Sequence, residues 1–306
     1  MAAQGNARAF ITNQSGDSVS VIDTATGITL QTLTIRGKPA GVAANHSGTS
    51  VYVTSTEGVA LTRIDAQELT IAKRTTLGSG PLAVATHPKR DEVYVADWYD
   101  DVITIVDGAT LTPRSRLRAG RSPSGLITNL AGTRLYVTNR DGDSVWAYDL
   151  ATRIRTATYP TGERPFGLTI DQADRTLYTA NVASNDVTVI DLQTGRVRAT
   201  IPVGERPYAV ALAGQDTRLF VTNQYEDTVS AIDTTTLDTL AVIEVGEYPE
   251  GIATHPDDRR VLVANWFSNT VSVIDAQTLE VVDTWDAGDG ARAYGEFITP
   301  LLPPSD

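Results

Sequence analysis

The chain has 306 residues, and its 37 acidic and 25 basic side chains leave a net charge of −12. Such a field repels phosphate backbones and anionic bilayers, which argues against nucleic acid as a general partner. There is no cysteine, so disulfides, thiol chemistry and cysteine-ligated metals are excluded.

In chain order, the opening MAAQGNARAF lacks both a basic start and an apolar core, so no signal peptide is read there. An exported protein would have lost its leader. From Phe10 onward the pattern is β throughout: short runs of Val, Ile, Thr and Tyr broken by Gly, Asn, Asp and Pro. No stretch carries helical apolar spacing, and no apolar run approaches the roughly 18 residues of a membrane span, so no membrane insertion is expected.

The pattern repeats every 42 residues. An aromatic or aliphatic residue opens a tetrad at Phe10, Tyr52, Tyr94, Tyr136, Tyr178, Phe220 and Leu262. An Asp follows a third strand at Asp23, Asp65, Asp107, Asp149, Asp191, Asp233 and Asp275. Each unit reads as four strands, as in PFGLTID (165–171), RTLYTAN (175–181), DVTVID (186–191) and RVRATIPV (196–203). Four-stranded antiparallel units at a period near 40 predict an all-β, seven-bladed β-propeller, a single domain despite its length.

The first strand of each blade opens after Pro39, Pro81, Pro123, Pro165, Pro207 and Pro249, where no ladder hydrogen bond needs a donor. Two positions later stands Gly or Ala, small enough for seven inner strands to crowd a narrow channel. The chain begins in a second strand near Phe10 and ends on a lone first strand, so residues 291–299 should complete the N-terminal blade and seal the ring. The tail TPLLPPSD should lie loose on the surface.

YVTN (136–139), FVTN (220–223), YTAN (178–181) and TVSVID (270–275) resemble the YVTN repeat family across residues 8–299. The resemblance implies a seven-bladed propeller in a mostly exported, periplasmic or surface-layer family of bacteria and archaea. A periplasmic or cell-surface location is therefore expected, with a cytoplasmic one left open. The closing GDGARAYGEFI resembles the family's final strand, although Ala291 replaces the repeat's Pro. No catalytic motif comes with the resemblance.

Several candidates read as structure. The seven Asp residues begin D-x-x-T-like turns, where a carboxylate caps backbone amides. The tetrad Asn residues (Asn13, Asn139, Asn181, Asn223 and Asn265) follow the same logic, with Ser55 and Asp97 as departures. His46, His87 and His255 fall on the face opposite the variable loops and do not converge as zinc would require, so neither metal nor cofactor is expected. Asn139–Ser144 has calcium-loop spacing but lacks the sixth-place Gly and the twelfth-place Glu. Asn13-Gln14-Ser15 and Asn45-His46-Ser47 match a glycosylation sequon, a weak pattern.

The informative positions break the repeat. The links between second and third strands read QSGD, TEGV, WYDD, RDGD, VASN, QYED and WFSN, and share one face, the upper face, with the links between blades. They carry Trp98, Tyr99, Arg140, Tyr225, Trp266 and Phe267. The turns and starts of the first strands add Arg164, Phe166, Arg206, Tyr208, Tyr248, Glu250 and Arg292. Exposed aromatics beside Arg favour a binding surface for a planar or anionic ligand or a protein. The competing reading makes them plugs between loops, with Arg paired to Glu163, Glu205 or Glu226. Arg292, Tyr294 and Glu296 should share one side of the closing strand, either as a network that fixes closure or around a functional acid.

These features predict a monomeric, non-catalytic binding or scaffold propeller that recognises a small molecule or protein on its upper face. An enzyme or enzyme subunit with its site at the same channel mouth, or a cell-envelope repeat protein, are the alternatives. The lack of an upper-face His favours binding.

Overall fold

The computed structural model describes residues 7–301, so the extreme leader and most of the proline-rich tail lie outside the described residues. Seven antiparallel sheets surround a central channel. In blades 2–7 the four strands run outward from the channel in chain order. In blade 5, Pro165–Ile170 lines the channel, Thr176–Asn181 and Asp186–Asp191 follow, and Arg196–Pro202 forms the outer edge. The two middle strands are buried between neighbouring blades, whereas the outer strand is mostly exposed. Among the described residues, the one helical element is a 3-10 turn at Arg140–Gly142. No helix of the described residues is long and apolar enough to cross a membrane.

Blade 1 confirms closure by the C-terminal segment. Arg8–Asn13, Ser18–Asp23 and Thr29–Thr34 supply three strands. Residues 291–298 supply the inner edge: Phe10 N–H donates to Phe297 O at 2.8 Å, and Arg292 N–H to Thr12 O at 2.8 Å. The segment also bonds to blade 2, where Val42 N–H and Ala44 N–H donate to the carbonyls of Tyr294 and Glu296. It is less regular than the other inner strands, with Ala293 at φ 45° and Gly295 at φ 120°.

Threonine stitches the blades together. The tetrad hydroxyls of Thr12, Thr138 and Thr222 donate to the carbonyls of Ala40, Phe166 and Glu250 on the next inner strand, at 2.9, 2.6 and 3.2 Å. The strands lie so close that a Cβ on Gly41 would sit 2.1 Å from Leu82 O, and one on Gly251 2.2 Å from Ala293 O. The small-residue register is therefore steric in origin.

The capping readings hold as well. Asp23, Asp149, Asp191 and Asp233 each accept two backbone N–H groups of the following turn. Thr110 and Arg114 hold the Asp107 pKa down to about 2. Asn13 and Asn139 accept the N–H of Gly288 and Gly120 in the preceding inter-blade link, and Asp97 does the same for Gly80.

Both buried His side chains join blades on the lower face. The Nδ1 of His87 accepts the N–H groups of Lys89 and Arg90, and its Nε2 meets Gly132 O at 3.0 Å. The Nδ1 of His255 accepts the N–H of Asp257, and its Nε2 lies 3.0 Å from Thr24 Oγ1 of blade 1. Burial lowers both imidazole pKa values.

Candidate functional site

The upper face is shaped by a turn repeated around the ring. The residue before five of the six repeat prolines, including Arg164, Arg206 and Tyr248, takes a left-handed backbone with φ between 53° and 59°, the exception being Gly80. Its N–H is held by the last residue of the second-to-third link in the preceding blade. Asp143 accepts from Arg164 at 2.8 Å, Asn185 from Arg206 at 3.0 Å and Asp227 from Tyr248 at 2.8 Å. Those acceptors are themselves left-handed, a conformation Asn and Asp tolerate. Positions that look variable in sequence are thus structural at their fourth place, and the signal was legible: six of the seven links end in Asp or Asn.

At the channel mouth four rings pack together. Phe166 stacks on Tyr208 with centroids 4.1 Å apart, and Tyr294 meets their edges at 5.1 and 5.6 Å. Trp98 leans in over Phe166 at 6.0 Å, closer to the mouth than its loop position suggested. Tyr294 comes from blade 1 yet donates its hydroxyl to Phe166 O of blade 5 at 3.2 Å, so it spans the channel as a diaphragm. Phe166, Tyr208 and Tyr294 are all buried, so they fill the mouth instead of forming an open wall.

Against this plug lies a buried ion pair. Arg292 Nε is 2.9 Å from Glu250 Oε2, but the N–H is not aimed at the oxygen, so the contact is ionic without a formed hydrogen bond. The Arg292 guanidinium donates to the Tyr208 hydroxyl, and Gln224 donates to Glu250 Oε1 at 3.0 Å. Burial raises the Glu250 pKa against the opposing pull of Arg292. Desolvation likewise lifts the Tyr208 and Tyr294 hydroxyls well above 10, so both stay neutral, Tyr208 accepting from Arg292 and Tyr294 donating to Phe166 O. The network that fixes closure is real for Arg292 and Tyr294, and its acid is Glu250.

Glu296 departs from expectation. It shares the channel side with Arg292 and Tyr294, as strand alternation requires, but does not join the upper-face set. A strand advances about 3.3 Å per residue, which carries Glu296 below Tyr294 and into the lower half of the channel. There its carboxylate lines a wide lower funnel and a void of about 40 Å³ beneath the diaphragm.

The exposed part of the upper face lies further round the ring. Tyr225, Tyr248, Trp266 and Phe267 of blades 6 and 7 form an open cleft of about 500 Å³ with Gln14 of blade 1, and Glu250 lies at its base. Tyr248 contacts the other three rings at 5.1–6.0 Å, and Trp266 donates its indole N–H to Gln14 at 3.2 Å. Tyr225 and Phe267 remain 53% and 58% exposed. Arg206 lies over the Tyr225 ring at 5.1 Å. On the other side of the mouth Arg140 lies over Trp98 at 5.4 Å and pairs with Asp141, while Arg164 is exposed and Tyr99, also exposed, lies against Gly80. Among the described residues no group of three or more His, Asp or Glu is placed to hold a metal.

Comparison with known proteins agrees with this architecture. Residues 210–288 match the family described as YNCE-like beta-propeller, and residues 113–225 match the SMP-30/Gluconolactonase/LRE-like region. The chain is a β-propeller. No curated protein matches it by sequence. Among solved structures, a functionally unknown protein from Desulfotomaculum acetoxidans superposes with a TM-score of 0.83 at 14% identity, over 97% of this chain and 99% of that one. Kuenenia stuttgartiensis hydrazine synthase gives 0.75 at 17%, over 83% and 88%. Dihydro-heme d1 dehydrogenase NirN in complex with DHE gives 0.71 at 17%, over 90% of this propeller but 63% of that chain. At these identities the likeness is one of fold.

Proposed function

We propose that this chain is a non-catalytic recognition propeller of the YVTN type, whose upper face binds a planar small molecule bearing a negative group. The observation that carries the reading is the aromatic cleft of Tyr225, Tyr248, Trp266 and Phe267. Its rings stay open to solvent although the fold has apolar interior to offer them, and Arg206 stands at its rim. Flat rings supply stacking surfaces, and a guanidinium pairs with a carboxylate, sulfonate or phosphate in the same plane. The titratable groups at the mouth support binding over catalysis, because Glu250 is tied to Arg292 and Gln224.

Trp266 is a built-in reporter. Titration with an anilinonaphthalene sulfonate should quench its fluorescence saturably at one site. Phe267→Ala or Arg206→Ala should weaken that binding by about 2 kcal/mol, while Tyr99→Ala leaves it unchanged. Equal affinity in all four proteins would overturn the assignment.

A further inference from the structure

The lower half of the channel holds a second cavity, separate from the upper cleft. Below Tyr294 the channel opens into a funnel of about 630 Å³, within the range of small-molecule pockets. Its wall is largely apolar and includes Leu126, Ile170, Leu212 and Ile252. The hydroxyls of Thr86, Thr128 and Thr254 donate to the carbonyls of Ala44, Thr86 and Leu212, respectively, on neighbouring inner strands. Their donors are thereby used, and their oxygens keep acceptor capacity.

Glu296 breaks this register. The equivalent positions in the other six blades hold Ala44, Thr86, Thr128, Ile170, Leu212 and Thr254. Its backbone carbonyl accepts from Ala44 N–H, but no protein group bonds or pairs with its carboxylate among the described residues, in contrast to Glu250 higher in the channel. The charge lies open to the lumen but is ringed by channel wall, which pushes its pKa up. At the rim stand Asp171, Asp216 and Asp258, and burial, with the negative charges of its two neighbours, raises the pKa of Asp216. Among the described residues no Lys or Arg lines the funnel, and its basic side chains are His46 at the rim and the buried His255.

We propose that this funnel binds a small organic cation, a protonated primary amine on an apolar chain, with Glu296 as its counter-charge. An ammonium offers three donors, suited to one carboxylate and nearby hydroxyl oxygens, while the alkyl chain meets the aliphatic wall. A calcium ion would need six to eight oxygens and finds one carboxylate at the floor. The acidic rim and the net charge of −12 draw cations to the mouth.

Calorimetric titration with hexylammonium at constant ionic strength tests the assignment, with hexanoate as the matched anion. Saturable one-to-one binding of the amine alone is expected, weakened about tenfold or more in Glu296→Gln, a neutral and nearly isosteric change. Should that variant fail to fold, Ile170→Trp, which narrows the lumen while leaving Glu296 in the chain, must give the same loss. The upper-face variants Phe267→Ala and Arg206→Ala should leave amine binding intact, so the two sites stand or fall separately. Absence of saturable amine binding, equal binding of hexanoate, or undiminished affinity in Glu296→Gln or Ile170→Trp would overturn the proposal.

Discussion

The two ends of the channel are lined by the same seven inner strands, yet they treat charge in opposite ways. At the upper mouth Arg292 and Glu250 form an ion pair, flanked by hydrogen bonds to Tyr208 and Gln224, beside the stacked rings. At the lower end Glu296 faces an apolar wall alone. Both arrangements arise from one irregular closing segment, and Tyr294 between them divides the channel. A buried charge with its partner at hand is part of the scaffold, whereas an unpaired one open to the lumen is a position where a ligand would find a counter-charge.

That contrast can be broken most severely at its source. Ending the chain at Gly290 removes Arg292, Tyr294 and Glu296 together and leaves Arg8–Asn13 as an open edge. Aggregation, or a fall in melting temperature on the order of 10 °C or more, is the expected result by calorimetry and light scattering. A monomer with unchanged melting would refute the closing role.

A finer cut separates the upper pair from its surroundings. Glu250→Gln or Arg292→Met alone should destabilise by about 3–5 kcal/mol, because each strands the other charge. The double variant should cost less than the sum of the two, by about 1 kcal/mol or more in a denaturant-based cycle. Strict additivity would mean that the pair is not coupled.

The smallest effect concerns the lower-face His locks. Because burial holds the folded-state pKa values of His87 and His255 below the ordinary 6.5, the unfolded chain takes up more protons as pH falls. Their contribution is complete above pH 6.5 and is lost below it, by up to about 1.4 kcal/mol per pH unit for each imidazole. Melting curves across this window should show a slope that is reduced in a His87→Asn/His255→Asn variant, and an equal slope in both proteins would exclude the linkage.

Much of the molecule was legible from spacing alone. The 42-residue period, the strand-opening prolines, the Gly or Ala two places on and the capping Asp residues each have a local physical cause that repeats in register. The same register analysis singled out Arg292, Tyr294 and Glu296 as departures. Two regular signals went unread: the tetrad Thr as an inter-blade stitch and the Asp or Asn ending six of the seven upper links. Both were present at fixed spacing, but their partners lie in the next blade, 28 and 21 residues away.

What the sequence determined by itself is the fold, because identical units that each bury two sheet faces can satisfy one another only by closing a ring. What only the tertiary structure decided is which odd residues meet. Phe166, Tyr208 and Tyr294 come from three different blades, and Trp266 meets Gln14 across 252 residues. Alternation along the closing strand tells which side Glu296 faces but not its depth. Its separation from Arg292 depends on the Tyr294 ring lying across the channel, a packing outcome that no local pattern encodes.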